Sequence, residues 1–121
     1  MAIQYQIKGT VLTLKVAPEG FAELRSALRA AATDPRARPR MPLLIDLRTE
    51  ANGVRYEDVR YRVEIMAEMR HQFGPRWAIV TGTQAVPVGV GRMFAAFSEI
   101  EGLDVGMFAD EDDAIRWLME P

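Results

Sequence analysis

Ile3, Tyr5 and Ile7 alternate with Gln4, Gln6 and Lys8, the period-two pattern of a half-buried strand. After Gly9-Thr10 the alternation resumes, with Leu12, Leu14 and Val16 set against Val11, Thr13 and Lys15, so the two runs predict a β-hairpin. Pro18 and Glu19 suit a helix start, and Phe21, Leu24, Leu28 and Ala31 follow at helical spacing until Thr33-Asp34-Pro35. Beyond the basic connector Arg36 to Arg40, the run Met41 to Leu47 is apolar without alternation, which predicts a strand buried on both faces. Helical spacing returns from Tyr56 to Phe73, Gly74-Pro75 stops it, and Trp77 to Val80 forms a second continuous apolar strand. Val86, Val90, Met93, Phe94, Phe97 and Ile100 line one face of a third helix. Leu103, Val105 and Met107 alternate as a strand, and a last helix runs from Asp110 through Leu118.

The order β-β-α-β-α-β-α-β-α predicts an α/β fold with a mostly parallel sheet of five strands, an N-terminal antiparallel hairpin and four helices. Leu43 to Ile45 and Trp77 to Val80 are expected side by side, with Phe94 and Phe97 on the same core. With 121 residues, and no repeat or long linker, the chain reads as a single domain over residues 1–121.

Hydrophobic residues at 49% and charged residues at 26% describe an ordinary globular chain. The net charge of −2 lacks the basic excess of a nucleic-acid binder, so no nucleic-acid partner is expected. There is no cysteine and one histidine, His71, which removes thiolate and multi-histidine metal sites and leaves no metal or cofactor to expect. Gly89-Val90-Gly91 has Phe94 where a dinucleotide fingerprint needs a third glycine, and no Walker lysine occurs. No stretch approaches the ~20 apolar residues of a membrane span, and Met1 to Lys8 lacks a signal-peptide core, so a cytoplasmic protein is expected.

Several strings carry a family resemblance. Pro42-Leu43-Leu44-Ile45-Asp46-Leu47 after the first helix, then Gly89-Val90-Gly91-Arg92-Met93-Phe94, Gly102-Leu103-Asp104-Val105 and Asp113-Ala114-Ile115-Arg116-Trp117-Leu118, resemble small bacterial SpoIIAA-like (STAS-type) proteins. The resemblance implies a superhelix of βα units, a fold shared with CRAL-TRIO-type lipid carriers and anti-sigma-factor antagonists. Regulatory members carry a phosphorylatable Ser or Thr in the loop after the strand matching Leu43 to Leu47. Here that loop reads Arg48-Thr49-Glu50-Ala51-Asn52-Gly53-Val54-Arg55-Tyr56. It lacks the Asp-Ser-Ser-Gly type of motif, and Thr49 falls too early, so no serine phosphoswitch is expected.

Ligands of open α/β sheets sit beyond the carboxyl ends of the parallel strands. Thr81 and Thr83 fall there, near a helix start whose free amides suit an anion, with Arg92 further along. The rival reading is a capped turn beside a solvated arginine. On the helix from Tyr56, Val59, Val63, Met66 and Phe73 form a core stripe, and Tyr61, Ile65 and Met69 form a second stripe beside it. The combined arc exceeds the ~100° face of an ordinary surface helix. The extra width suits another subunit or a hydrophobic pocket; the rival reading is that Arg62 and Arg70 lay their stems on it and hold their heads in water. An exposed Tyr61-Ile65-Met69 surface is expected to make a homodimer, ranked above the hairpin edge. His71 and the acidic first turns Glu57-Asp58 and Glu111-Asp112-Asp113 fit helix-dipole roles, so no catalytic residue is assigned. The leading expectation is a non-catalytic domain acting through a regulatory protein partner or small ligand. A carrier or sensor of an apolar or lipid-like molecule comes next, and an enzyme last.

Overall fold

A computed structural model describes residues 3–16, 24–48 and 56–120 of the chain. The expected helix start at Pro18-Glu19 and the loop residues Thr49, Asn52, Gly53 and Arg55 lie outside them. Strands β1 (Ile3–Lys8) and β2 (Val11–Val16) pair antiparallel through the two-residue link Gly9-Thr10, with Lys8 opposite Val11. Gly9 takes a φ of +60°, a left-handed conformation that a side chain resists and a tight hairpin needs. Helix α1 (Leu24–Ala32), β3 (Met41–Asp46), α2 (Tyr56–Ala67), β4 (Phe73–Val80), α3 (Ala85–Ile100), β5 (Asp104–Phe108) and α4 (Glu111–Leu118) follow. The fold is α/β, with a mixed five-stranded sheet ordered β1-β2-β3-β4-β5 and four helices. β2 to β5 are mutually parallel.

The two sheet faces are unequally covered. Leu12, Leu14, Leu43, Ile45, Trp77 and Ile79 point to a large core shared with α1, α2 and α3. The residues between them, Val11, Leu44, Ala78 and Val80, meet Ala114 and Leu118 of α4 on the other face. Leu43 pairs with Trp77 and Ile45 with Ile79, so the two unalternating apolar runs are neighbours in the sheet. Each is apolar throughout because each is covered from both sides. Phe94 is buried in the larger core and Phe97 packs partly buried against it.

Two boundaries differ from the sequence pattern. The helix expected to run through Phe73 ends at Ala67, and Phe73 instead opens β4 opposite Met41. Phe73 is apolar in either role, so its spacing alone does not separate them. The sheet claims it because Arg40 and Met41 donate backbone hydrogen bonds to the His71 and Gln72 carbonyls. Between Phe73 and Trp77 the β3–β4 register shifts, at a point where Gly74 has a φ of +140°. The buried Trp77 Nε1 donates to the Phe73 carbonyl at 3.2 Å, which ties the irregular segment together. Among the described residues no helix is long and apolar enough to cross a membrane.

Candidate functional site

The parallel register sets Lys15 of β2 beside Asp46 at the end of β3. Asp46 is buried, and a buried carboxylate must be paired. The chain reverses just after it, so Arg48 reaches back two residues. Its Nε donates to Asp46 Oδ1 at 2.9 Å, its Nη2 to Oδ2 at 2.8 Å, and its backbone N–H to Oδ1 at 3.0 Å. Burial pushes the Asp46 carboxyl up, but the Arg48 side-chain and backbone hydrogen bonds outweigh it and hold the group below its ordinary value. Arg48 Nη2 also lies 3.4 Å from Glu111 Oε2 in the first turn of α4, and Lys8 Nζ lies 3.3 Å from Glu111 Oε1. β1, the end of β3 and the lone helix of this face are thereby joined by one charge network.

Beside the network is a cavity of about 310 Å³ lined by Tyr5, Gln6, Thr13 and Lys15. Gln6 pairs across the hairpin with Thr13, and Lys15 follows two residues later, so these three share the α4 face. Tyr5 belongs to the opposite face, where its ring packs on the larger core and its hydroxyl donates to Asp34 Oδ2 at 3.2 Å. Thr13 is only 2% exposed. Its Oγ1 is buried and has no hydrogen-bond partner among the described residues. Lys15 is exposed, and its ammonium makes no hydrogen bond or ion pair among them. A second cavity, of about 190 Å³, lies between α2 and α3, with Arg60 and Glu64 on one side and Phe97, Ile100 and Glu101 on the other.

The residues singled out at the carboxyl ends of the strands have different surroundings. Thr81 is buried, its Oγ1 donating to the Gly82 carbonyl at 3.0 Å, and its methyl faces Gly91 of α3. Thr83 and Arg92 are exposed. Gln84, not Thr83, is the N-cap of α3, and no side chain caps that end. Arg92 is the eighth residue of α3, roughly 10 Å along the axis from its start at 1.5 Å per residue. No hydrogen bond among the described residues joins Thr81, Thr83 and Arg92 to one another. Strand order follows chain order without reversal, so the crevice of a doubly wound sheet, which opens at a reversal, has no counterpart here.

The Tyr61-Ile65-Met69 stripe requires a correction. Tyr61 is 46% exposed, but Ile65 is 5% exposed and belongs to the main core, with Met69 packed partly buried against that core. Helix α2 lies between α1 and α3 and touches both, so a wide apolar arc is needed simply to fill the space on its two flanks. Arg62 likewise does not hold its head in water, being 3% exposed. Arg70 does reach the surface partly, and it donates to the Ala67 carbonyl at 3.0 Å and the Glu101 carbonyl at 2.7 Å, joining the ends of α2 and α3. Asp110 N-caps α4, accepting from the Asp113 N–H at 2.8 Å, which accounts for one of the acidic residues there.

Sequence reasoning passed over the Asp46–Arg48–Glu111 network and the cavity beside it. One signal was present: an aspartate closing an apolar run, with an arginine two residues on, marks a buried carboxylate that needs a cation. No family model, no curated protein and no solved structure matches the chain. The class established is therefore the α/β fold itself.

Proposed function

We propose that the chain is a SpoIIAA-like, STAS-type domain without the serine phosphoswitch, and that it acts by binding a protein partner or a small ligand rather than by catalysis. The observation that carries this reading is the layout: strands in chain order, α1 to α3 on one face and α4 on the other. That is the arrangement a superhelix of βα units would have, and the fold resemblance drawn from the sequence implies such a superhelix. The polar groups at the sheet ends serve the same reading. Asp46, Arg48, Glu111 and Lys8 are engaged with one another, as structural ion pairs are. The working unit in this proposal is a homodimer. With Ile65 in the core, its contact falls to the outer edge of β1, whose backbone groups an identical strand can pair.

Reconstitution tests the proposal. Proteins retained by the immobilised chain are purified and titrated against it by calorimetry, and a saturable stoichiometric complex is expected. Turnover in a broad substrate screen, lost on a single surface substitution, overturns the non-catalytic reading. Light scattering should give twice the monomer mass, with amide exchange slowed along Ile3–Lys8, whereas a monomer at micromolar concentration removes the dimer.

A further inference from the structure

We propose that the cavity over β1 and β2 is a binding site for a small monocarboxylate bearing a hydroxyl or similar polar group. The inference rests on the binding-domain reading only in treating the molecule as a ligand instead of a substrate.

Three features point to that chemistry. The first is an unmet hydrogen-bonding group. The Thr13 hydroxyl is withdrawn from solvent with no partner among the described residues, and a buried polar group in that condition is costly unless something meets it. Thr13 also forms part of the cavity lining. The second is charge. Three cations and two carboxylates lie on this face of the sheet: Lys8, Lys15 and Arg48 with Asp46 and Glu111. Asp46 is bonded to Arg48, and Glu111 is bridged to both Arg48 and Lys8. Lys15 makes no hydrogen bond or ion pair among the described residues, its charge acting on Asp46 only through space, and it borders the cavity. The third is size and donor type. A volume of about 310 Å³ accommodates a compact metabolite.

A single ammonium offers one positive charge and no guanidinium fork. The neighbouring N-terminus of α4 is already capped by Asp110 and carries Glu111, Asp112 and Asp113, so it repels further anions. A phosphate, with close to two charges, would need more donors than this. One carboxylate on Lys15, with the ligand's second polar group bonded to the Gln6 amide and the Thr13 hydroxyl, matches what the site provides. Contact with the Thr13 hydroxyl requires the exposed Gln6 and Lys15 side chains to move aside.

The test is a titration of the ¹⁵N-labelled full chain with sodium glycolate and sodium lactate, against inorganic phosphate and sodium chloride at equal ionic strength. Saturable shifts at the Gln6, Thr13 and Lys15 amides are expected with the hydroxy acids and not with phosphate or chloride. Lys15→Gln should weaken the binding about 10-fold or more, the scale of a charge-assisted hydrogen bond. Thr13→Val should weaken it several-fold while leaving Tm unchanged or raised, because the valine removes a hydroxyl that the free protein does not use. No saturable shift with either hydroxy acid overturns the inference, as does equal response to phosphate. So does a Thr13→Val variant that gains stability and binds as well as wild type. A chain that captures its protein partner while giving no shift here leaves the binding-domain proposal standing and removes this one.

Discussion

A methyl group added to Gly91 of α3 would lie 2.5 Å from Cγ2 of Thr81 and 3.0 Å from Cε of Met107. Glycine at this position lets the helix backbone sit directly on the carboxyl end of β4. Thr81 is thus held by packing, with its methyl under the helix and its hydroxyl bonded to its own loop. Gly91→Ala should destabilise by ~1–3 kcal/mol in urea unfolding, the usual cost of overpacking. Adding Thr81→Ser removes the offending methyl, so the double variant should recover part of that loss, a coupling that a double-mutant cycle reads directly.

Asp46 supplies a pH-dependent contribution. Its folded-state pKa is depressed, since the Arg48 hydrogen bonds overcome the opposing effect of burial. The stabilisation is therefore fully present above the unfolded-state value of about 3.9 and is lost as pH falls through the folded-state value. Asp34, held low by the Arg36 hydrogen bonds, acts with the same sign. Wild-type stability should fall steeply below the ordinary aspartate range. Asp46→Asn should be less stable at neutral pH and show a shallower acid slope, as followed by urea midpoints across pH.

The position of Ile65 makes a substitution there a core defect. Ile65→Ala should cost ~2–5 kcal/mol. Ile65→Asp should yield unfolded or aggregated protein, because an unpaired carboxylate would lie within the main core. Circular dichroism of the Asp variant decides this, and a folded, native-like spectrum would return Ile65 to the surface. Tyr61→Ala, at a 46% exposed site, should cost under about 1 kcal/mol.

Arg76 of β4 fastens the end of α4. Its Nη1 donates to the Trp117 carbonyl at 2.9 Å, which also accepts from the Glu120 N–H, and to the Glu120 carbonyl at 2.8 Å. Its Nε is 3.3 Å from Asp104, and the guanidinium lies 4.9 Å from the Trp117 ring centre. Arg76→Ala should destabilise by ~1–3 kcal/mol and alter the near-ultraviolet signal of Trp117. Arg76→Lys should recover only part of this, since an ammonium cannot reproduce the forked bonding.

Element type and order were legible along the chain because alternation and helical spacing are properties of a few consecutive residues. The unbroken apolar runs Leu43 to Ile45 and Trp77 to Val80 announced that both sheet faces would be covered, and the interior positions of β3 and β4 are. Gly9 marked its turn because the local backbone alone demands it, whereas Asp110, read as the first residue of the last helix, is its N-cap. Other features depended on what lies across space. Phe73 fits a helix stripe and a strand equally by spacing, and pairing with Met41 decided for the strand. Ile65 is apolar whether it faces solvent, a partner or the core, and the placing of α2 between α1 and α3 put it inside. The site was the least legible part. The hairpin lysines Lys8 and Lys15, Arg48 and Glu111 come from three distant parts of the chain, and only the β2–β3 register and the crossing of α4 to the opposite face bring them onto one side of the sheet. The same crossing leaves Gln6 and Lys15 exposed on that face, because an eight-residue helix spans about 12 Å and cannot cover five strands. Periodicity shows which side of an element is apolar, whereas tertiary packing determines how much of that side another element reaches.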